Sequence, residues 1–397
     1  MNILLINQTD EMVGGSDVYF RDTANLLRQH GHVVYEFYAT SNVSQQSIYP
    51  KKINFDKPNI HDVFSYCYNF EAKKKLHKFL DGKNIDIAHL NIYYGQLTSS
   101  ILNILSNKKI PIVQTLHEYK LVCPTYKMLC KGKECHKCKG NTFYHSVLNR
   151  CNRGSFLRSA ISCVESYISM WMGAQNKIKK FICVSDFQKN KIREMWNSDK
   201  LMTIHNYFPE YKLKEVNSGN ENKFFVYVGR IEREKGIELL LKIAEKRRHI
   251  DFVFVGEGSF LDSALRIKKE LSLDNVNFVG KVSSEKVGHF ISKSIALILP
   301  SLWMETFGLV VLEAFSYSKP VISSNYGGMS EIITHDEDGI LANPGDLNEF
   351  LRAVDFYYEN KNIATEMGES GYKKLIGCFS EHVFYENLLK LYQEVIA

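Results

Sequence analysis

Short apolar runs alternate with glycine-containing loops and helical patterns from the first residues of the chain. The run "NILLIN" (2–7) precedes the loop "EMVGGS", a helical pattern from about Asp17 to His30 that Gly31 is placed to end, and the run "HVVYEFYA". This order of strand, loop, helix and strand predicts a βαβ unit with parallel strands and a right-handed crossover. Further buried strands are expected at "DIAHL" (86–90), "PIVQTL" (111–116) and "KFICVS" (180–185).

The same pattern begins again after the polar stretch "HNYFPEYKLKEVNSGNENK". "FFVYVGR" is typical of a strand, "KGIELLLKIAEKRR" of a helix, and "IDFVFVGEG", "VNFVG", "SIALILP" and "KPVISS" of further strands. A chain of 397 residues is also too long for one ordinary core. The sequence therefore predicts an α/β protein with two doubly wound Rossmann-like domains, residues 1–207 and 223–378, joined by a linker at 208–222 and facing each other across a cleft. Because ligands bind beyond the carboxyl ends of such strands, the cleft is the expected site.

Two glutamates near one strand end are the first candidate ligand-binding residues. Glu305 follows the strand "SIALILP" in a loop, and Glu313 falls on the second turn of a helix that begins near Gly308. A carboxylate suits sugar hydroxyls because it accepts two or more charge-assisted hydrogen bonds. Gly308 lets the backbone approach a ligand closely. The alternative for Glu313 is an exposed position on the helix surface.

Two cations lie at the end of the first strand of the second domain, in "VGRIEREKG". Arg230 and Lys235 flank the loop that starts the next helix, so a guanidinium, an ammonium and a helix N-terminus would meet a diphosphate there. Taken alone, such residues are most often on the surface. Together with the glutamate pair they favour a functional site over a surface position.

These motifs resemble those of the retaining GT-B glycosyltransferases of family 4. The resemblance rests on "GRIEREKG", "VFVGEGS", "VNFVGKV", "PSLWMETFGLVVLEAFSYSKPVISSNYGG" and "DGILANPGD", with "GGSDVYFRDTANLLRQHGHVV" and "QTLHEYKLVCP" in the first domain. It covers nearly the whole chain and implies that the last helix, residues 379–397, crosses back to the first domain. Two departures are Ser318, where many members have glycine, and Glu118, where many have aspartate after the histidine.

The resemblance also implies roles for individual residues. Arg230 and Lys235 would hold the donor diphosphate and stabilise the leaving group, Glu305 would bind the donor sugar, and His117 would approach that sugar from the first domain. The implied catalytic residues are thus His117, Glu305, Arg230 and Lys235. The implied substrate-binding residues are Gly14, Gly15, Gly229, Glu257, Phe307, Gly308, Leu309 and Glu313, the last on the ribose hydroxyls. His89, inside a strand, is more typical of a satisfied buried residue.

The implied activity is transfer of a sugar, with retention, from a UDP or GDP type of nucleoside-diphosphate sugar to a saccharide or lipid-linked acceptor in cell-surface polysaccharide or glycoconjugate synthesis. No cofactor is expected for catalysis, since Arg230 and Lys235 would supply the charge of a divalent cation. The alternatives are a nucleotide-sugar epimerase-like enzyme or phosphorylase, a catalytically inactive scaffold, and a metal-stabilised nucleic-acid-binding protein. The last leaves Glu305, Glu313, Arg230 and Lys235 without a role, so no nucleic-acid partner is expected.

Five cysteines fall within a lysine-rich segment at about residues 120–155, interpreted as an insertion in the first domain. Only one pair has the C-x2-C spacing of a zinc knuckle, and four of the five thiolates would complete a tetrahedral site. Free, reduced thiols in an ordered loop are the alternative. The candidate ligands of a structural zinc are Cys123, Cys130, Cys135, Cys138 and Cys151.

Charge is distributed unevenly along the chain. Residues 1–210 carry 28 basic and 17 acidic side chains, a net charge of +11, whereas residues 211–397 carry 22 and 27, a net charge of −5. The basic half favours an anionic partner such as a membrane surface, or is simply a solvated face. The N-terminus lacks the pattern of a signal peptide. We therefore expect a cytoplasmic protein with peripheral contact at the inner membrane face.

Overall fold

The computed structural model describes residues 1–11, 14–54, 59–213 and 224–397. Contacts within the chain divide it into two compact units, Met1–Ile204 with Tyr385–Ala397, and His205–Phe384. The predicted linker at 208–222 lies partly outside the described residues.

The first unit is built on a six-stranded parallel sheet. Its strand order is β2-β1-β3-β4-β7-β8, and β5 and β6 form a separate antiparallel hairpin. The strands are β1 (Asn2–Thr9), β2 (Val33–Ala39), β3 (Ile87–Leu90), β4 (Ile112–Leu116), β5 (Leu129–Cys130), β6 (Lys133–Glu134), β7 (Lys180–Cys183) and β8 (Leu201–Thr203). The helices are α1 (Gly15–Gln29), α2 (Ile60–Cys67), α3 (Phe70–Phe79), α4 (Ser100–Asn107), α5 (His145–Leu148), α6 (Phe156–Trp171), α7 (Ala174–Lys177) and α8 (Asp186–Met195).

Helix α1 begins two residues before the predicted start at Asp17. Gly14 is the N-cap residue, and its backbone N–H donates to Asp17 Oδ2 at 3.0 Å. Asp17 is therefore the third helical residue of a capping box rather than the first residue of the helix.

The second unit repeats this architecture with a parallel sheet in the order β11-β10-β9-β12-β13-β14. Its strands are β9 (Phe224–Val228), β10 (Asp251–Val255), β11 (Val276–Gly280), β12 (Ser294–Leu299), β13 (Val321–Ser324) and β14 (Gly339–Ala342). Its helices are α9 (Ile237–Lys246), α10 (Leu261–Glu270), α11 (Ser284–Ser292), α12 (Leu309–Ser316), α13 (Met329–Ile332), α14 (Leu347–Glu359) and α15 (Lys361–Cys378). The last helix, α16 (Glu381–Ile396), begins in this unit, and its residues from Tyr385 belong to the first.

The central strands of both sheets are buried on both faces, which explains their continuous apolar runs. In β12 all six residues are buried, and in β4 all five. The fold is therefore α/β with two Rossmann-like parallel-sheet units, as the sequence predicts. No helix among the described residues is both long and apolar enough to cross a membrane.

Each sheet contains a point at which the strand order reverses. In the first sheet it lies between β1 and β3, and in the second between β9 and β12. The loops that leave the two strands at such a point diverge to opposite faces of the sheet, so a crevice opens at their carboxyl ends. The candidate site residues can therefore be compared with the positions of these two crevices, one at the carboxyl edge of each sheet.

Candidate functional site

Lys235 and Glu305 meet at the strand-order reversal of the second sheet. Lys235 lies in the loop after β9 and Glu305 in the loop after β12. The Lys235 ammonium forms an ion pair with Glu305 Oε1, and both side chains are only 16% exposed. Ser301 Oγ donates to the same carboxylate oxygen at 3.1 Å, and the Lys235 Nζ lies 5.1 Å from the centre of the Trp303 ring. A cation and a sugar-binding type of carboxylate are thus held side by side at the expected crevice.

Backbone contacts fix these two loops against each other. The Leu302 N–H donates to the Glu234 carbonyl at 2.8 Å. Gly236 has a φ of +77°, and a side chain there would overlap the Pro300 carbonyl oxygen. Only glycine combines this backbone conformation with so close an approach. The relative position of Lys235 and Glu305 is therefore set by the backbone as well as by their charges.

A third loop supports Glu305 from the other side. The Gly328 N–H donates to the Glu305 carbonyl at 2.7 Å. A side chain at Gly327 would lie 2.6 Å from the Glu305 nitrogen. The glycine pair in "NYGGM" thus allows the loop after β13 to pack directly on the backbone of the candidate sugar-binding residue.

Arg230 leaves the end of β9 as an exposed side chain. Its carbonyl accepts a hydrogen bond of 2.8 Å from the Tyr227 hydroxyl, which fixes the backbone while the guanidinium extends outward. Gly229, one residue earlier, has a φ of +153°. The arrangement places a guanidinium beside the loop that carries Lys235, as a diphosphate site requires.

Glu257 contacts the loop that carries Arg230 through its backbone, not through its side chain. Its side chain is exposed, and its carbonyl accepts a hydrogen bond of 2.9 Å from the Ile231 N–H. The loops after β9 and β10 are thereby joined. The structure assigns Glu257 a supporting contact for the Arg230 loop.

Helix α12 presents its N-terminus at the end of the Glu305 loop. Gly308 is its N-cap residue with a φ of +121°, and Phe307 before it is 2% exposed. The backbone N–H groups at the start of the helix, beginning at Leu309, point out of the helix end, where the helix dipole favours an anion. Most of the helix is buried, so its apolar residues form core rather than one stripe.

Glu313 lies on the second turn of α12 and is half-buried. Burial raises the pKa of its carboxyl to about 7, and the positive charge of Lys212 opposes this rise. A carboxyl whose pKa is shifted so far by burial, on a helix that begins at the carboxyl edge of the sheet, is a candidate for a binding site. This observation favours the ligand interpretation over an exposed helix position.

In the first unit, His117 lies directly after β4 and is half-buried. Its Nε2 donates to Asn91 Oδ1 at 2.9 Å, and its ring stands edge-on to Tyr19 with centroids 4.8 Å apart. Burial lowers the pKa of His117 to about 3, so the imidazole is neutral at physiological pH. Asn91 follows β3, which flanks the strand-order reversal of the first sheet.

His89 has a purely internal environment, as the sequence indicates. It is fully buried, with Nδ1 2.6 Å from the Tyr392 hydroxyl and Nε2 2.7 Å from the Thr115 hydroxyl. Burial and the nearby His117 lower its pKa to about 3. Thr115 Oγ1 also lies 3.3 Å from the Tyr19 hydroxyl, so this buried network ends at the ring against which His117 packs.

Gly14 and Gly15 begin α1, next to the end of β1. Both are exposed, and nothing lies within 4 Å of the position that a Gly14 side chain would take. Because β1 flanks the strand-order reversal, these glycines and Asn91 are at the carboxyl edge of the same sheet. The glycines thus occupy the loop where a Rossmann-like unit approaches its ligand.

The five cysteines of the insertion lie in one region of the first unit, and none forms a disulfide. A pocket is lined by Cys123, Cys135, Cys138 and Cys151, and the thiol of Cys130 forms a hydrogen bond with that of Cys151. Burial raises the pKa of Cys138 and of Cys151 to about 12, and neighbouring cysteines reinforce both shifts. No three of these sulfurs, all within the described part of the chain, lie within 4.8 Å of one another. The structural zinc stays a prediction.

Two contributors to these sites have no clear sequence signal. Ser301 and Asn91 are common polar residues at strand ends, and only the fold shows that they contact Glu305 and His117. Trp303 is different, because an aromatic residue in the loop between "SIALILP" and Glu305 is a recognisable signal for a binding loop.

The two Rossmann-like units have the fold of a class of protein, the glycosyltransferases of GT-B architecture. Residues 210–374 match the family model described as Glycosyl transferases group 1, and residues 13–208 match that of Glycosyltransferase Family 4. The chain therefore belongs to this glycosyltransferase family.

Individual relatives agree with this assignment. An uncharacterized glycosyltransferase of Methanocaldococcus jannaschii is 30% identical over 219 residues, which are 54% of this chain and 60% of that protein. Sucrose-phosphate synthase from Thermosynechococcus elongatus has a similar structure, with a TM-score of 0.74 at 18% identity over 99% of this chain and 98% of that one. Anabaena HepE in complex with UDP gives a TM-score of 0.69 at 17% identity over 99% and 100%. At these identities the two structures establish the fold.

Proposed function

We propose that the chain transfers a sugar from a nucleoside-diphosphate sugar to an acceptor hydroxyl with retention of configuration. The observation that carries the proposal is the Lys235–Glu305 pair at the strand-order reversal of the second sheet. A phosphate-binding cation and a sugar-binding carboxylate stand next to each other there, as the two sides of a sugar–phosphate bond require. The UDP bound by Anabaena HepE supports a uridine donor as the first candidate.

The donor is held through its three chemical parts. Arg230 and Lys235 bind the diphosphate, Glu313 accepts hydrogen bonds from the ribose hydroxyls, and Glu305 accepts them from the sugar. The half-buried position of Glu313 supports its role, because hydrogen bonds to a partly desolvated carboxylate are stronger than those to an exposed one. On donor binding, Lys235 exchanges part of its interaction with Glu305 for the phosphate.

The reaction breaks the bond between the anomeric carbon and the phosphate oxygen, and forms a bond from that carbon to the acceptor oxygen. The acceptor proton passes to the departing phosphate. Negative charge therefore grows on the diphosphate in the transition state, where Arg230 and Lys235 stabilise it. The neutral imidazole of His117 is suited to hydrogen bonding with a sugar hydroxyl rather than to charge stabilisation. We propose a saccharide or lipid-linked molecule as the acceptor.

A donor-consumption assay tests this function. Purified protein is incubated with UDP and GDP sugars, and release of the nucleoside diphosphate is measured with and without saccharide acceptors. We expect release from one donor, a loss of about 100-fold or more in Lys235→Ala, and normal release in Lys242→Ala, which removes an exposed lysine of α9. Equal release by both variants would contradict the site. An inverted anomeric centre in the product, detected by NMR, would contradict retention.

A further inference from the structure

Helix α6 exposes large apolar side chains and buries small or polar ones, which is the opposite of the usual pattern for a helix on a protein surface. Its buried residues are mostly small or polar, whereas large apolar side chains face outward: Leu157 is 68% exposed, Val164 49% and Trp171 76%. Ile161 and Ile168 are half-buried between them. The five residues follow one another at intervals of four, three, four and three, so they form one stripe along the helix. We call these five residues the α6 stripe.

The inward face of α6 is satisfied by the protein itself. Glu165 is paired with Lys120 at 2.5 Å, with side chains 2% and 6% exposed. Burial alone would lower the pKa of Lys120, but the charge and hydrogen bond of Glu165, together with Tyr66 and Glu118, outweigh it and raise that pKa. Ser162 accepts from Asn152, and Ser169 from Ser99. These polar contacts fix the rotation of the helix, so the outward position of the apolar stripe is enforced.

The apolar surface continues beyond α6. Helices α2 and α5 both pack against α6. On α2, Ile60 is 73% and Phe64 70% exposed, and on α5, Leu148 is 71% exposed. Phe156, the first residue of α6, is 59% exposed. Single exposed apolar residues are normal, but several on adjoining helices mark an interaction site.

The segment that carries α5 and α6 is strongly basic. Between residues 135 and 185 the chain carries eight lysines and arginines and one acidic residue, Glu165, which is buried in its ion pair. Arg150, Arg153 and Arg158 are all exposed at the beginning of α6. Exposed apolar residues next to cations match the boundary of an anionic bilayer, where the apolar side chains enter the acyl region and the cations meet the headgroups. If a second copy of the protein bound this face, the arginines of the two copies would lie close together and repel each other.

We propose that the α6 stripe, with the exposed apolar residues of α2 and α5, docks the protein on an anionic lipid bilayer. Helix α6 has 16 residues and a length of about 24 Å, so it lies in the plane of the membrane interface. Trp171, near the end of the helix, is suited to the headgroup level, where tryptophan is enriched. The proposal concerns a surface of the first unit and does not depend on the donor site.

Vesicle co-sedimentation tests the proposal. The full chain is mixed with vesicles of phosphatidylcholine alone and of phosphatidylcholine with one quarter phosphatidylglycerol. We expect binding to the anionic vesicles, weakened by salt, and at least a tenfold loss of partitioning in Leu157→Ser/Trp171→Ser. The matched control Leu265→Ser changes an exposed leucine of α10, 43% exposed, and should bind like the wild type.

A second variant separates charge from apolar insertion. Replacing Arg150, Arg153 and Arg158 by alanine should weaken binding to anionic vesicles and leave binding to neutral ones unchanged. Because all substituted side chains are exposed, circular dichroism should show a folded protein in each case. The proposal would be overturned if the wild-type protein did not bind to anionic vesicles. A dimer in analytical ultracentrifugation that Leu157→Ser/Trp171→Ser dissociates would also overturn it, since the stripe would then bind a second copy.

Discussion

Lys235 and Glu305 are 70 positions apart in the chain, yet the ammonium group of one forms an ion pair with the carboxylate of the other. The two residues come from the loops after β9 and β12, the strands between which the order of the second sheet reverses. Backbone contacts between Leu302 and Glu234 hold these loops together independently of the charges. The fold itself therefore places the two side chains together, and a bound donor would have to replace part of the interaction between them.

Breaking this pair on one side should cost more stability than removing it altogether. Lys235→Met leaves the Glu305 carboxylate largely buried beside the Ser301 hydroxyl but without its cation, and should lower the free energy of unfolding by about 1–3 kcal/mol. Lys235→Met/Glu305→Gln should recover part of this loss while remaining inactive. Urea denaturation of both single variants and the double variant measures the coupling. Strictly additive effects would show that the pair contributes nothing.

The raised pKa of Glu313 predicts a specific pH dependence of stability. Between its ordinary value and about 7, the folded protein holds a proton that the unfolded chain has released, so folding loses stability as pH rises through this window. Glu313→Gln should remove this loss and be more stable than the wild type at pH 8, by on the order of 1–3 kcal/mol. The two proteins should converge below the ordinary pKa of 4.5. The control Glu366→Gln, at an exposed position of α15, should follow the wild-type pH profile, and a Glu313→Gln profile parallel to the wild type would refute the assignment.

His117→Ala should separate catalysis from nucleotide binding. We expect kcat to fall by about 100-fold, because the imidazole nitrogen that would accept a hydrogen bond from a donor-sugar hydroxyl is lost, while the Kd for the nucleoside diphosphate stays unchanged. Since the pKa of His117 is about 3, its contribution should not vary between pH 5 and 8. Steady-state kinetics with isothermal titration calorimetry checks both quantities. Unchanged kcat would exclude the role.

The cysteine segment predicts a bound metal that can be counted. If four thiolates hold zinc, elemental mass spectrometry should find about one zinc per chain. The double variant Cys135→Ser/Cys138→Ser should lose this zinc and have a lower thermal stability. Cys378→Ser changes an exposed cysteine outside the segment and is the matched control. Metal-free wild-type protein of normal stability would support the alternative of free thiols.

The sequence predicts the fold well because the buried strands of a parallel sheet are continuous apolar runs, and each run from β1 to β13 that the pattern marks is a strand. The placement of Arg230, Lys235 and Glu305 in loops at strand ends was predictable for a related reason, since these residues lie in the loops that follow such runs. Ser301 and Asn91 were not, because their importance comes from loops that meet only in the folded chain.

Helix α6 shows the opposite case. Its apolar stripe would ordinarily predict the side that faces the core, yet the side with Glu165, Ser162 and Ser166 is buried. The polar side of α6 is buried because Glu165 pairs with Lys120, which lies 45 positions earlier in the chain. The periodicity of the helix sequence cannot predict this pairing. Burial by specific polar pairing therefore escapes a prediction based on hydrophobic periodicity.

Nucleotide binding by the second unit tests the central claim most directly. Thermal shift with UDP, GDP, ADP and CMP is measured on the wild type, Arg230→Ala and Glu313→Ala, with Arg352→Ala, at an exposed position of α14, as control. A ligand at a hundredfold excess over Kd stabilises the folded state by about 2.7 kcal/mol. We predict that one nucleoside diphosphate raises the Tm of the wild type and of Arg352→Ala, and that both site variants lose most of this shift. No shift with any of the four nucleotides, or equal shifts in all variants, would contradict the assignment of Arg230 and Glu313 to a nucleotide-sugar site.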